Sequence, residues 1–281
     1  MKDARKLWFR PLEAGWNPRF FERYFGTRVG ATIRSREEEA VYDFFGRVLR
    51  SHHKVLEVGC GTGNYTVPVA RRCAEVIALD SSPEMLQYLR HLLLQEGLSN
   101  VEARTGRLPD QLGARPGEFD GALVIGVLNY AEDLEKSLRA LATTLKPGGW
   151  AIFNVPVTTI EGGIYALSEI LNRRWAYLLS PDEILDSTIK AGLRVDYTAT
   201  AGLSRGGLTL TVGAKVPAAP YIGLPDTHGV AGQDTPVPCK TRTLACMTRV
   251  RPFRLVPTVP VCSTFRPALS TDSSVSPEGR R

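Results

Sequence analysis

Three glycines at alternate positions, Gly59, Gly61 and Gly63, follow the apolar run Val55–Val58 in the stretch VLEVGCGTGNYT. A strand running into such a loop, with a helix after it, lets the backbone turn tightly and brings amide groups close to a polar ligand. The dinucleotide fingerprint G-x-G-x-x-G is not met. Counted from Gly59 its third glycine falls on Asn64, and counted from Gly61 it falls on Thr66. What stands here is E-x-G-x-G-x-G, with Glu57 two residues before the first glycine. Asp80 closes the next apolar run, EVIALD, where a carboxylate can accept two hydrogen bonds from a diol. Cys60, inside the loop, reads as a small buried residue rather than a reactive thiol.

The elements that must position these groups alternate. Strands are expected at Lys54–Val58, Glu75–Asp80, Val101–Arg104, Phe119–Val127 and Trp150–Val155, and helices at Asn64–Cys73, Pro83 to Gly97 and Asp133–Leu145. Ser82 and Pro83 suit the start of the second helix, and Met85, Leu86, Leu89, Leu92 and Leu93 form its apolar stripe. Pro147–Gly148–Gly149 reads as a turn. A further helix opens at Ser180 and runs to Ala191. Leu193–Ala201 and Leu208–Val216, joined by Ser204–Gly207, read as an antiparallel hairpin. Strand–helix alternation of this kind predicts a parallel α/β sheet, closed here by the hairpin.

The glycine loop, Asp80, Phe119–Asp120, Leu145–Lys146–Pro147–Gly148–Gly149 and the terminal hairpin, in this order, resemble class I S-adenosylmethionine (SAM)-dependent methyltransferases of the small-molecule type. The resemblance covers roughly residues 40–216. It implies a Rossmann-like doubly wound sheet, mostly parallel with a C-terminal antiparallel hairpin strand, plus an N-terminal helical cap. It also implies SAM as cofactor, contacted by Glu57, Gly59, Cys60, Gly61, Gly63, Asp80, Ser81 and Met85. Two departures stand out. Where many relatives carry an acidic group for the adenine amine, this chain has Thr105–Gly106–Arg107–Leu108–Pro109. Where relatives commonly carry a histidine after the fourth strand, it has Val127–Leu128–Asn129–Tyr130.

Alignment of a nucleophile with an activated methyl group can supply about 7–11 kcal/mol, so no catalytic residue need exist and none is named. Asn129 and Tyr130, at the end of the fourth strand where open α/β sheets bind ligands, face substrate or pack the loop. Tyr165, in the insertion after the fifth strand, and Tyr24 are further substrate candidates. Tyr24 belongs to an aromatic N-terminal stretch of Trp8, Phe9, Trp16, Phe20, Phe21, Tyr24 and Phe25, which packs on the main domain or covers an apolar substrate. The expected activity is methyl transfer to a small acceptor, apolar or ring-bearing. The alternatives are a non-catalytic SAM-binding subunit and, on weaker grounds, a nicotinamide-dependent oxidoreductase. No Asn/Asp-Pro-Pro-Tyr/Phe motif follows the fourth strand, which argues against a nucleobase amine as acceptor.

Composition narrows the partners. Residues 1–215 carry 27 Lys and Arg against 25 Asp and Glu, while residues 216–281 carry 8 against 4 and hold 10 of the 19 prolines. The near-neutral main part lacks the basic stripe of a nucleic-acid enzyme. No apolar run approaches the ~20 residues that span a bilayer, and Met1–Pro18 has no apolar signal core, so a cytoplasmic protein is expected. Five cysteines in irregular spacing and four scattered histidines predict neither a disulfide framework nor a metal site. Arg34, Arg36, Glu37, Glu38 and Glu39 read as a solvated helix face. The oligomeric state is not legible. The predicted organisation is a cap at residues 1–40, a SAM-binding domain at 41–216 and a disordered tail at 217–281. Deleting residues 217–281 should leave both SAM affinity and the melting transition unchanged, which calorimetry of the truncated chain checks.

Overall fold

The computed structural model describes Pro18, residues 27–204 and residues 206–218. The expected aromatic helix, Tyr24 and the expected tail beyond residue 218 lie outside these described residues. In chain order the elements are α1 (Arg28–Val48), β1 (Lys54–Val58), α2 (Thr66–Ala70), β2 (Glu75–Asp80), α3 (Pro83–Gln95), β3 (Val101–Thr105) and β4 (Phe119–Val124). A single 3-10 turn at Leu128–Tyr130 follows, then α4 (Leu134–Thr144), β5 (Leu145–Pro156), α5 (Ile160–Leu171), α6 (Pro181–Lys190), β6 (Arg194–Ala201) and β7 (Thr209–Lys215).

The strands form one sheet in the order β3-β2-β1-β4-β5-β7-β6. β1 pairs in parallel with β2 and β4, and β7 inserts antiparallel between β5 and β6. The expected Rossmann-like sheet with a closing hairpin is therefore the fold of this chain. Its order reverses between β1 and β4, so the loops after those strands diverge and leave a crevice at their C-terminal ends. The central strands are buried over nearly their whole length, as their unbroken apolar runs require when helices cover both faces. One core layer gathers Leu56, Leu79, Phe119 and Phe153 on one side of the sheet. The other gathers Phe44, Phe45, Val55, Leu86, Leu89 and Trp150.

Local signals account for most boundaries. The Ser82 hydroxyl accepts from the Met85 amide at the start of α3, and Ser180 with Glu183 forms a reciprocal capping box at the start of α6. Three expectations shift. The helix after the glycine loop is only Thr66–Ala70, because Gly61 to Tyr65 are spent on turns. β4 stops at Val124 rather than Val127, since Gly126 turns the chain with φ +71° and donates its amide to Asn154 Oδ1 at 2.7 Å. Leu145–Gly149, read as helix end and turn, begins β5 instead. There the Gly148 amide donates to the Val216 carbonyl at 3.0 Å and the Val216 amide to the Gly149 carbonyl at 2.8 Å. Those backbone groups are satisfied across the sheet, a partner that no local pattern displays.

α1 packs across β6 and β7, with Phe44 and Phe45 set edge-on to Trp150 at centroid distances of 6.1 and 5.8 Å. Trp150 in turn lies flat over Gly121 of β4, where a β-carbon would sit 2.1 Å from its ring. Gly121→Ala should push Trp150 off the sheet and loosen α1, at a cost of about 1–3 kcal/mol. A lowered midpoint in thermal denaturation followed by circular dichroism is the expected result.

Candidate active site

The crevice at the strand ends is a cleft of about 970 Å³. Its first wall is the glycine loop. The amides of Gly59 and Cys60 both donate to the Leu79 carbonyl of β2, at 2.7 and 3.0 Å, which folds the loop back over the neighbouring strand. The Gly61 amide then donates to Asp80 Oδ2 at 2.9 Å, and the Ser82 amide donates to Asp80 Oδ1 at 2.8 Å. Each Asp80 oxygen keeps acceptor capacity toward the cleft. Burial raises the Asp80 carboxyl above its ordinary value, against the pull of these amides. Gly59 has φ +79°, and a β-carbon there would meet Val127 Cγ2 at 2.1 Å, so the loop fits this conformation only with glycine. Gly61 faces open space, which leaves its backbone accessible to a ligand.

Glu57 sits beneath the loop, 3% exposed, with Oε2 lacking any hydrogen-bond partner. Desolvation pushes its carboxyl up to about 8, with the Thr66 hydroxyl acting against the shift and Asp80 adding to it. Cys60 is buried and its thiol is held well above the ordinary range by burial, next to Glu57 and Asp80, which suits a packing role. Ser81 and Met85 line the cleft beside Asp80, and Gly63 packs its α-carbon against Leu89 and Leu92 of α3. Arg107 lies on the rim after β3, in a reciprocal backbone pair with Gln111.

The second wall was not foreseen. α1 lays Ile33, Arg34 and Glu37 along the cleft, so the Arg34–Glu39 run is not simply a solvated face. Glu37 Oε1 accepts from Asn154 Nδ2 of β5 at 3.1 Å and from Thr209 Oγ1 of β7 at 2.8 Å. Glu38 Oε1 accepts from Arg34 Nε at 3.0 Å and from Asn64 Nδ2 of the glycine loop at 2.8 Å. One helix thus ties the loop after β1 to the ends of β5 and β7. A sequence signal existed. Glu37 falls at i+4 from Ile33 and at i−3, i−4 and i−7 from Ala40, Val41 and Phe44, which is the apolar face of α1.

The third wall follows β4. Asn129 is buried, its Nδ2 donates to the Tyr165 hydroxyl at 2.7 Å, and its Oδ1 has no partner. Tyr165 bonds on to Tyr130, whose hydroxyl donates to Glu169 Oε2 at 2.9 Å. Glu169 is gripped by Arg174 through Nε at 2.6 Å and through a terminal guanidinium nitrogen at 3.0 Å. Three of the substrate candidates, Asn129, Tyr130 and Tyr165, therefore meet at the cleft as one hydrogen-bonded chain across α5. Tyr130 is bound at its hydroxyl, and burial with the Glu169 charge raises its pKa. Among the described residues no helix is long and apolar enough to cross a membrane.

Residues 55–149 match a protein family described as a methyltransferase domain. That match spans the glycine loop, Asp80, Asn129 and Tyr130 in one stretch. This stretch of the chain is similar to a methyltransferase domain. The chain is 30% identical over 149 residues to a ubiquinone biosynthesis O-methyltransferase of Chromobacterium violaceum, covering 50% of this chain and 64% of that protein. Over 96 residues it is 36% identical to the ubiquinone biosynthesis O-methyltransferase of Xanthomonas euvesicatoria pv. vesicatoria, covering 34% of this chain and 40% of that one. The chain thus spans less than two thirds of either relative. In structure it is similar to magnesium protoporphyrin IX methyltransferase from Synechocystis PCC 6803, solved with bound SAH, at a TM-score of 0.58 and 19% identity over 73% of this chain and 97% of that one. That likeness concerns the fold of the domain.

The Glu169–Arg174 pair, with side chains 0% and 2% exposed, anchors the third wall. Glu169→Ala leaves a buried guanidinium without its counter-charge and should cost about 3–5 kcal/mol, a fall of about 10 °C in melting temperature for a domain of this size. Replacing both partners, Glu169→Gln with Arg174→Met, should recover most of that loss in the same melting experiment.

Proposed function

We propose that this chain binds SAM across the glycine loop and transfers a methyl group to a small, ring-bearing or otherwise apolar acceptor. The observation that carries the reading is Asp80. Its two oxygens are braced by the Gly61 and Ser82 amides at 2.9 and 2.8 Å, and both keep capacity to accept from a vicinal diol. Gly59, Gly61, Gly63, Cys60, Ser81 and Met85 would line the cofactor half of the cleft, with Glu57 supporting the loop from below. The unpartnered Glu57 Oε2 and the open approach to Gly61 fit a polar ligand seated there. SAM supplies, when bound, a methyl group activated by its sulfonium centre. The protein's share is to seat the acceptor in line with it and to keep water out.

A volume near the upper end of the ~300–1,000 Å³ typical of small-molecule sites leaves room for cofactor and acceptor together. Exposed Val29, Ile164 and Leu203 stand at its rim, which favours an apolar acceptor over a nucleic acid. The O-methyltransferase relatives point the same way, toward a hydroxyl acceptor. Asn129, Tyr130 and Tyr165 would form the acceptor wall, with Asn129 Oδ1 free to take a substrate proton donor. Tyr24 remains a substrate candidate on the sequence pattern alone. We assign residues 1–40 to a cap that continues through α1 into the domain of residues 41–216, leave 217–281 as a separate tail, and place the protein in the cytoplasm.

Titration calorimetry with SAM and with NAD tests the reading: heat from SAM and none from NAD is expected, and the reverse would sink it. Asp80→Ala should weaken SAM binding at least tenfold, a loss of about 1.4 kcal/mol or more. Unchanged affinity would remove Asp80 from the site.

A further inference from the structure

The cofactor wall and the acceptor wall account for the loops after β1, β2 and β4, but not for the carboxylate that α1 carries into the cleft. We propose that Glu37 is the catalytic base of this protein and takes the proton from a hydroxyl acceptor as the methyl group is transferred. The proposal rests on the methyl-transfer reading above and adds to it the group that deprotonates the hydroxyl acceptor.

Placement is the first ground. Glu37 lines the same cleft as Gly59, Gly61 and Asp80, yet its contacts are on the opposite side, at the ends of β5 and β7. Asn154 joins it to the acceptor wall, because its Nδ2 donates to Glu37 Oε1 while its Oδ1 accepts from the Gly126 amide just before Asn129. Orientation is the second. Both hydrogen bonds reach Oε1, from Asn154 and Thr209, and Oε2 accepts from no described residue. A carboxylate fixed by one oxygen and free at the other is built to receive a proton from the cleft. A purely structural link from α1 to the sheet would need an acceptor at Oε1 and nothing more, so an amide would serve as well.

Environment is the third ground. Half-buried between α1 and the sheet, the Glu37 carboxyl is raised to about 7 by desolvation, against the pull of Thr209, Asn154 and Arg34 and with a push from Glu38. Among the described residues Tyr65, from the loop after β1, is a further titratable group facing it, and its own hydroxyl is held protonated well above the usual range. From β5 and β7 only the neutral Asn154 and Thr209 face it. A base poised there is ionised in about half of the molecules at neutral pH and returns its proton to water readily. The step balances. The acceptor O–H bond breaks and its proton passes to Glu37 Oε2, while the oxygen's electron pair forms the new bond to the methyl carbon. The carbon–sulfur bond breaks with its pair remaining on sulfur, which discharges the sulfonium, and Glu37 then loses the proton to solvent.

Glu37→Gln keeps an oxygen for Asn154 and Thr209 and removes the base. SAM affinity and melting temperature should stay at wild-type values, while kcat/KM toward a panel of phenols and catechols falls about 10²–10⁴-fold. The wild-type rate should decline as pH drops through about 7, as protonation blocks the carboxylate. In Glu37→Gln that limb should vanish and the rate rise only toward the acceptor's own pKa. A second readout needs no turnover. With S-adenosylhomocysteine bound, wild-type affinity for catechol should weaken below pH 7, where Glu37 can no longer accept its hydroxyl, and in Glu37→Gln it should not depend on pH.

An unchanged rate and pH profile in Glu37→Gln would overturn the assignment and leave methyl transfer standing. So would turnover of amines with none of any hydroxyl acceptor, or a loss confined to SAM affinity, which would mark Glu37 as a cofactor ligand. A wild-type protein that binds no SAM would instead overturn the functional reading itself, and this proposal with it.

Discussion

Two amide hydrogens converge on one carbonyl oxygen, that of Leu79, and the rest of the site depends on it. The contact exists because β1 and β2 are parallel neighbours, so the loop leaving β1 passes over the end of β2. Once Gly59 and Cys60 are held there, Gly61 is carried to Asp80 and the carboxylate is braced from two directions. Alternate glycines are needed because the chain must take positive φ angles at Gly59, Gly61 and Gly63 while lying against Val127 and Leu89. A side chain at Gly59 or Gly63 would collide with those neighbours and lift the loop away from the carbonyl that anchors it.

The opposite side of the cleft is organised by α1, which belongs to no strand–helix repeat. Its C-terminal half is an ordinary packing element, with Ala40, Val41, Phe44 and Phe45 buried against the sheet. Its N-terminal half replaces apolar contacts by polar ones. Arg34, Glu37 and Glu38 connect it to Asn64, Asn154 and Thr209. A half-buried carboxylate is costly unless hydrogen-bonded, and the two donors on Oε1 offset part of that cost without restoring an ordinary pKa. The same desolvation makes the group responsive near neutral pH. The third wall is organised differently, by a fully buried ion pair that fixes Tyr130 and through it Tyr165 and Asn129.

Much of this was legible in residue types and spacing. Lys54–Val58, Glu75–Asp80, the Ser82–Pro83 helix start and the hairpin at Arg194–Lys215 follow from short-range rules, because capping hydroxyls, prolines and alternating or continuous apolar runs act within a few residues of themselves. Val127 continues an apolar run and so reads as strand. Only the pairing of the Gly126 amide with Asn154, on a different strand, ends β4 earlier. Leu145–Gly149 misled in the opposite sense, since proline and two glycines mark a turn unless a neighbouring strand supplies partners, as residue 216 does.

The sequence by itself determined the class of sheet, its hairpin closure and the glycine-loop wall of Gly59, Gly61, Gly63 and Asp80. Each of those depends on backbone conformation and on groups close together along the chain. Only the tertiary structure decided which charges are solvated and which are enclosed. Glu37 and Glu39 are the same residue type two positions apart in one charged run, yet one reaches a cleft and the other points to solvent. That difference comes from the 100° turn between successive helical residues and from what α1 meets across the sheet. It likewise decided that Asn129, Tyr130 and Tyr165 are linked to a shared ion pair, because Glu169 and Arg174 reach them by the packing of α5 on the loop after β4, a contact between segments far apart in the chain.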